Sequence, residues 1–175
     1  MLFVVGMLVG DMSAQTAPAR IVRQGDDRLK GITAVDVVID PMRAEAARCG
    51  VNRDALHQVV IHTMSPTGLK ATISEKSSSW HYTIYVTVST VISDGHCATG
   101  IVTELMAQVE GVPVTDKQTP PSEWDSLLVG QLTLIRHNGI VSSRRSAHAA
   151  DVRSMVSEHL LAIGTRVMAA NKLSK

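Results

Sequence analysis

The stretch Tyr82-Thr83-Ile84-Tyr85-Val86-Thr87-Val88-Ser89-Thr90-Val91-Ile92 decides the fold. Tyr82, Ile84, Val86, Val88 and Ile92 alternate with Thr83, Tyr85, Thr87 and Ser89, and His81 precedes them in the same phase. Side chains on a strand point alternately to opposite faces, so this period of two predicts a strand with one buried face and one half-wet face. An antiparallel sheet covered on one side only needs such a strand. Asp94-Gly95 then supplies the positive-φ chemistry of a tight hairpin turn. Residues 97–109 are the expected returning strand, with Ile101 and Leu105 on one side and Val102 and Met106 on the other.

Upstream, Val35, Val37 and Ile39 alternate with Asp36, Val38 and Asp40, which predicts a first strand stopped by Pro41. Asn52 is placed to cap a helix whose Leu56, Val59, Val60 and Met64 form an apolar stripe, ended by Pro66 and Gly68. A short strand is expected over residues 69–74. Downstream, Pro113, Pro120 and Pro121 mark a surface loop, a further strand is expected over residues 124–135, and His137-Asn138-Gly139 reads as a turn. Val152, Met155, Val156, Leu160, Ile163 and Val167 recur at helical spacing, predicting a closing helix over residues 147–170. The expected fold is α+β: a two-layer sandwich in which a mainly antiparallel sheet of four to five strands carries two helices on one face.

The N-terminus reads as an export signal. Leu2, Phe3, Val4, Val5, Met7, Leu8 and Val9 form an apolar run followed by Ser13-Ala14-Gln15-Thr16-Ala17, small residues of the kind at which signal peptides are cut. The expected organisation is a signal peptide over residues 1–14, a flexible leader over 15–27 and a single domain over 28–175. Removing 14 of the 175 residues leaves 161, enough for one domain with a sizeable core, and raises the net charge from +1 to +2 because Asp11 leaves without any Lys or Arg. The apolar run is about half the roughly 20 residues a membrane helix needs, so no stable membrane insertion is expected.

Export gives the two cysteines their meaning. Cys49 precedes the first main helix and Cys97 follows the hairpin turn, so in an oxidising compartment they are expected to form a disulfide. A net charge this small cannot hold a polyanion by counterion release, and the aromatic residues, Phe3, Trp80, Tyr82, Tyr85 and Trp124, are too few to build a stacking platform. No nucleic-acid partner is expected.

No local pattern announces catalysis. His57 and His62 do not share a helix face, no HExxH or CxxC spacing occurs, and no serine sits in a GxSxG turn, so neither a metal, a cofactor nor a catalytic residue is expected. His148 and His159 are expected as partly exposed positions of the last helix. The residues that stand out are Thr83, Tyr85, Thr87 and Ser89, joined by Thr99 or Thr103 according to register, which would form a hydroxyl-rich face suited to docking another protein.

These features imply an exported, non-catalytic accessory or interaction domain of a bacterial envelope, whose partner is another envelope protein. Two alternatives make different demands. A small secreted enzyme or enzyme inhibitor would bring His81, Asp94 and His96 together at one end of the sheet. A small-ligand carrier would hold an apolar cavity between sheet and helices.

Overall fold

The computed structural model describes residues 25–75, 82–111 and 128–172. The expected signal and leader as far as residue 24, residues 76–81 with Trp80 and His81, and the proline-containing stretch 112–127 with Trp124 lie outside the described residues. The elements, in chain order, are a 3-10 turn Gly25–Leu29, strand β1 (Ala34–Ile39), helices α1 (Ala44–Arg48) and α2 (Arg53–Met64), a 3-10 turn Ser65–Thr67, strands β2 (Lys70–Ile73), β3 (Tyr82–Ser93), β4 (His96–Gly111) and β5 (Leu128–Arg144), and helix α3 (Arg145–Lys172). The strands form one sheet in the order β2-β1-β3-β4-β5. It is an α+β fold, with its helices packed on one side of a five-strand sheet.

Strand orientation is mixed. β3, β4 and β5 are antiparallel neighbours, whereas β1 runs parallel to both β2 and β3. The cause is visible in the chain order: parallel neighbours need a crossover, and α1 and α2 supply it between β1 and β2. The β3–β4 hairpin turns at Asp94 and Gly95, both with positive φ (47° and 77°), the conformation that two-residue hairpin turns require.

The expected turn at His137-Asn138-Gly139 is absent, and β5 continues through it. Thr103 pairs with His137, Val102 with Asn138 and Ile101 with Gly139, so β4 holds this segment straight against its local turn propensity. One extra residue, Leu134, is accommodated where the register shifts opposite Leu105/Met106. Gly139 is there for a packing reason: a Cβ on it would lie 2.1 Å from Sδ of Met155, so α3 crosses β5 where β5 has no side chain.

The core lies between the sheet and the helices. Val35, Val37 and Ile39 of β1, Ile84, Val86 and Val88 of β3, and Ile101 and Leu105 of β4 meet Leu56, Val60 and Met64 of α2 and Val152, Val156, Leu160, Ile163 and Val167 of α3. These are the residues that period two and period 3.6 pick out. Asn52 caps α2 by accepting from the Ala55 N–H at 2.8 Å. Replacing it with Ala is expected to cost about 1 kcal/mol in denaturant unfolding, the usual value of a lost N-cap.

Gly164 is the closest approach of α3 to the turn after α2. A Cβ there would sit 2.7 Å from Cγ2 and 3.1 Å from Cβ of Thr67. Thr67 cannot swing away cheaply, because its hydroxyl donates to the Met64 carbonyl at 2.7 Å and accepts from the Leu69 N–H at 3.3 Å. Gly164→Ala is therefore expected to lower stability by about 1–3 kcal/mol, overpacking outweighing the helix propensity gained, as a lowered melting temperature would report.

Candidate interaction face

The expected disulfide is formed. Cys49, the C-terminal cap of α1, is bonded to Cys97, the second residue of β4, with the Cα atoms 6.1 Å apart and no solvent exposure at either residue. It ties the end of α1 to the hairpin end of β4.

The face of the sheet away from the helices is a grid fixed by strand register. One row is Tyr85, Glu104 and Arg136; the next is Thr87, Val102 and Asn138; then come Ser89, Gly100 and Ile140, and finally Val91, Ala98 and Ser142. Thr83, Tyr85, Thr87 and Ser89 do share this face, but their exposure is graded. Thr83 is buried (2 % exposed), Tyr85 and Thr87 are half-buried, and Ser89 is exposed. Thr87 donates its hydroxyl proton to the carboxylate of Asp40 at the end of β1, and Gln131 reaches the Tyr85 hydroxyl at 3.4 Å. Glu104 pairs with Arg136 at 3.4 Å.

Two large apolar residues stand free on the same face, Val91 at 65 % and Ile140 at 78 % exposure. Between them runs the backbone-rich strip Ala98 and Gly100, and an added Cβ at Gly100 would meet nothing nearer than the Ser89 carbonyl oxygen at 4.0 Å. Sequence reasoning missed both residues. Val91 continues the odd-numbered series of β3 and was open to the same alternation, whereas Ile140 was hidden by reading a turn where β5 is a strand.

Thr99 and Thr103 belong to the opposite face. The register places them toward the helices, where both are fully buried, because Cys97, Ile101 and Leu105 share their phase. His148 is likewise not a partly exposed helix position but is completely buried beneath α3. Its Nε2 lies 2.7 Å from the Thr99 hydroxyl and its Nδ1 3.0 Å from the Ser143 hydroxyl, and Thr99 is bonded onward to Thr90 at 2.8 Å. The reason is satisfaction: hydroxyls on β3, β4 and β5 facing a helix need polar partners, and one imidazole serves two of them. Three turns along α3, His159 places Nδ1 3.2 Å from the Thr103 hydroxyl and stacks on His137 of β5, ring centroids 5.5 Å apart. Burial holds both His148 and His159 below the usual histidine range; Asp151 opposes this at His148, while at His159 the neighbouring His137 adds to it and Glu158 opposes it.

A serine, a histidine and a threonine in line resemble the parts of an activated nucleophile. Here they are sealed under a helix, and the imidazole has no surface through which a substrate could reach it. Asp94 and His96 meet at the exposed hairpin tip, His96 Nδ1 lying 3.3 Å from the Asp94 carbonyl oxygen. Tyr82 begins β3 at the far end of that strand, roughly 36 Å away at the usual rise per residue, and His81 lies outside the described residues. Among the described residues no group of three His, Cys, Asp or Glu side chains could hold a metal ion. No helix among them is long and apolar enough to cross a membrane.

Among the described residues, open grooves lie on the helix side. One of about 460 Å³ runs between α2 and α3 past Val59, Thr63, Arg153 and Ser157, and one of about 340 Å³ lies beside β2, next to Ile61, Met64 and Leu69. Neither is an enclosed cavity between sheet and helices.

No protein-family model matches the sequence, and no curated protein matches it. Among solved structures the chain is similar to a variant PelC dodecamer from Paraburkholderia phytofirmans, at 13 % identity and a TM-score of 0.39 over 78 % of this chain and 86 % of that one. It is similar also to a minor lipoprotein from Acinetobacter baumannii, at 10 % identity and a TM-score of 0.39 over 80 % and 93 % of the two chains. A third likeness is to a homologue of a neuraminyllactose-binding hemagglutinin from Helicobacter pylori, at 5 % identity and a TM-score of 0.28 over 86 % and 91 %.

Proposed function

We propose that the chain is an exported, non-catalytic interaction domain of a bacterial envelope, which docks another envelope protein on the open face of its sheet. The observation that carries this reading is the exposure of Ile140 and Val91 on either side of the Ala98–Gly100 strip. Large apolar side chains beside a flat strip of small residues offer knobs and a trough, and the surrounding Ser89, Ser142, Asn138 and Arg136 supply a polar rim. Export is supported by the apolar leader and by a disulfide that an oxidising compartment would preserve. In this reading the signal is residues 1–14, the mature chain begins at Gln15, and Tyr85, Thr87 and Ser89 belong to the rim of the docking face.

A photo-crosslinking amino acid placed singly at Ser89, at Ile140 and, as a control, at Ser154 on the exposed side of α3 tests the reading in cells that export the protein. The expected result is one adduct of the same mass from Ser89 and Ile140, identified as a single envelope protein, and none from Ser154. Equal adducts from all three positions, or adducts from Ser154 alone, would overturn it.

A further inference from the structure

Helix α3 is fastened to the β4–β5 hairpin by histidines. Of its polar contacts with the inner face of these strands, His148 bridges Thr99 on β4 and Ser143 on β5, and His159 bonds Thr103 on β4 while stacking on His137 of β5. The two positions are eleven residues apart, about three helical turns, so they lie on one stripe roughly 16 Å apart along the axis. Between them Met155 lies over Gly139. In its neutral form each imidazole suits its site, since one ring nitrogen can donate and the other accept against hydroxyls that do either.

The protonated form suits neither site. At His148 the imidazolium would be buried without a counter-ion from the sheet. Its facing groups there are the hydroxyls of Thr90, Thr99 and Ser143, and the inner-face positions of β4 from Cys97 to Leu105 and of β5 from Ile135 to Ser143 include no carboxylate. Asp151 and Glu158 belong to α3 itself. Glu104 and Arg136, paired with each other, occupy the opposite side of the sheet. Toward α1 the helix presents Ala149 to Gly50 while Arg145 Nε donates to the Arg48 carbonyl, and toward α2 Ser157 meets Thr63, with His62 and Arg153 along the open groove. At the second site a protonated His159 would stand against the His137 ring, 5.5 Å away centre to centre, with the Thr103 hydroxyl as its hydrogen-bond partner on the sheet.

We propose that α3 is a proton-released clasp: uptake of protons at His148 and at His159 loosens the helix from β4 and β5, while the Cys49–Cys97 bond keeps β4 joined to α1. The sign follows from linkage. Burial disfavours the charged form of His148 and His159 in the folded state, so their contribution is fully present above the ordinary histidine value of about 6.5 and is lost as the pH falls below it toward their lowered folded values. An exported domain meets external acid directly, so the clasp would respond to the surroundings of the cell.

The test reads Met155, the half-buried residue of α3 that lies over Gly139 between the two histidines, against Met64 of α2, which is fully buried. The intact, disulfide-bonded protein is exposed to a short pulse of hydrogen peroxide at pH 7.5 and at pH 5.0, with a free methionine peptide in the same tube as the rate reference, and sulfoxide is read by peptide mass spectrometry. Met155 is expected to oxidise several-fold faster at the lower pH relative to the reference peptide, with Met64 unchanged. In the His148→Gln/His159→Gln variant, which keeps polar partners for the threonines but cannot titrate, the acid response is expected to vanish. If that variant does not fold, His159→Gln alone, at the half-buried site, is expected to reduce the acid response of Met155. An acid response absent from the native protein, shared equally by Met64, or undiminished in a folded variant would overturn the proposal.

Discussion

Replacing Cys49 and Cys97 together with Ala is expected to lower the free energy of unfolding by about 2–5 kcal/mol. The bond closes a loop of 48 residues that contains α2, β2 and β3. For a loop of that length the chain-entropy model gives roughly 4 kcal/mol, mostly through restriction of the unfolded chain. The native state contributes in the same direction, because both residues are fully buried and Ala leaves unfilled volume where the sulfurs were. Ala is the informative replacement, since Ser would bury two hydroxyls and add a desolvation cost of its own. Guanidinium unfolding of the variant, and of the native protein with and without reductant, should give matching losses. A variant as stable as the oxidised protein would mean that the bond restrains nothing the fold does not already restrain.

Leu160→Ala is expected to cost about 2–5 kcal/mol, whereas Leu161→Ala, one position along, should stay within about 0.5 kcal/mol. The contrast comes from the turn of the helix. Leu160 has no exposure and lies in the core that α3 shares with the sheet, while Leu161 is 49 % exposed. Truncating the first removes transfer energy and leaves a cavity in a close-packed interior; truncating the second removes a side chain already about half in water, where no enclosed cavity can form. Because the two substitutions are chemically identical, their difference measures packing alone. Equal losses would contradict the assignment of the buried stripe, and with it the placement of α3 on the sheet.

Much of this architecture could be read from residue spacing. The alternation in Tyr82–Ile92 identified the strand and its buried face, Val152 to Val167 marked the buried side of α3, and Asn52, Gly68 and Asp94-Gly95 fell at a cap, a helix end and a hairpin turn. Those signals are local, set by the geometry of one element. What escaped was decided between elements. The parallel pairing of β1 with β2 and β3 depends on which edge a returning strand joins, and alternation is the same for either direction. His137-Asn138-Gly139 has turn chemistry, but sixteen residues of β4 pair along β5 and override it. Whether Thr99 and Thr103 face water or helix turned on phase relative to Cys97, Ile101 and Leu105, which the sequence contained, and the burial of His148 follows from theirs. The proposed docking face was legible only in part: Ser89 is exposed as a solvent-side strand residue should be, Thr83 is covered, and Ile140 and Val91 came from the register.

The central claim is that this is an exported domain whose sulfurs are joined in its native compartment. Intact mass spectrometry of the protein taken from the envelope fraction of its host, trapped with a thiol-alkylating reagent before lysis, tests it directly. The account predicts a chain beginning at Gln15 that takes up no reagent until it is reduced, and then takes up two equivalents. A chain still carrying residues 1–14, recovered from the cytosol and alkylated at both Cys49 and Cys97 without reduction, would contradict it.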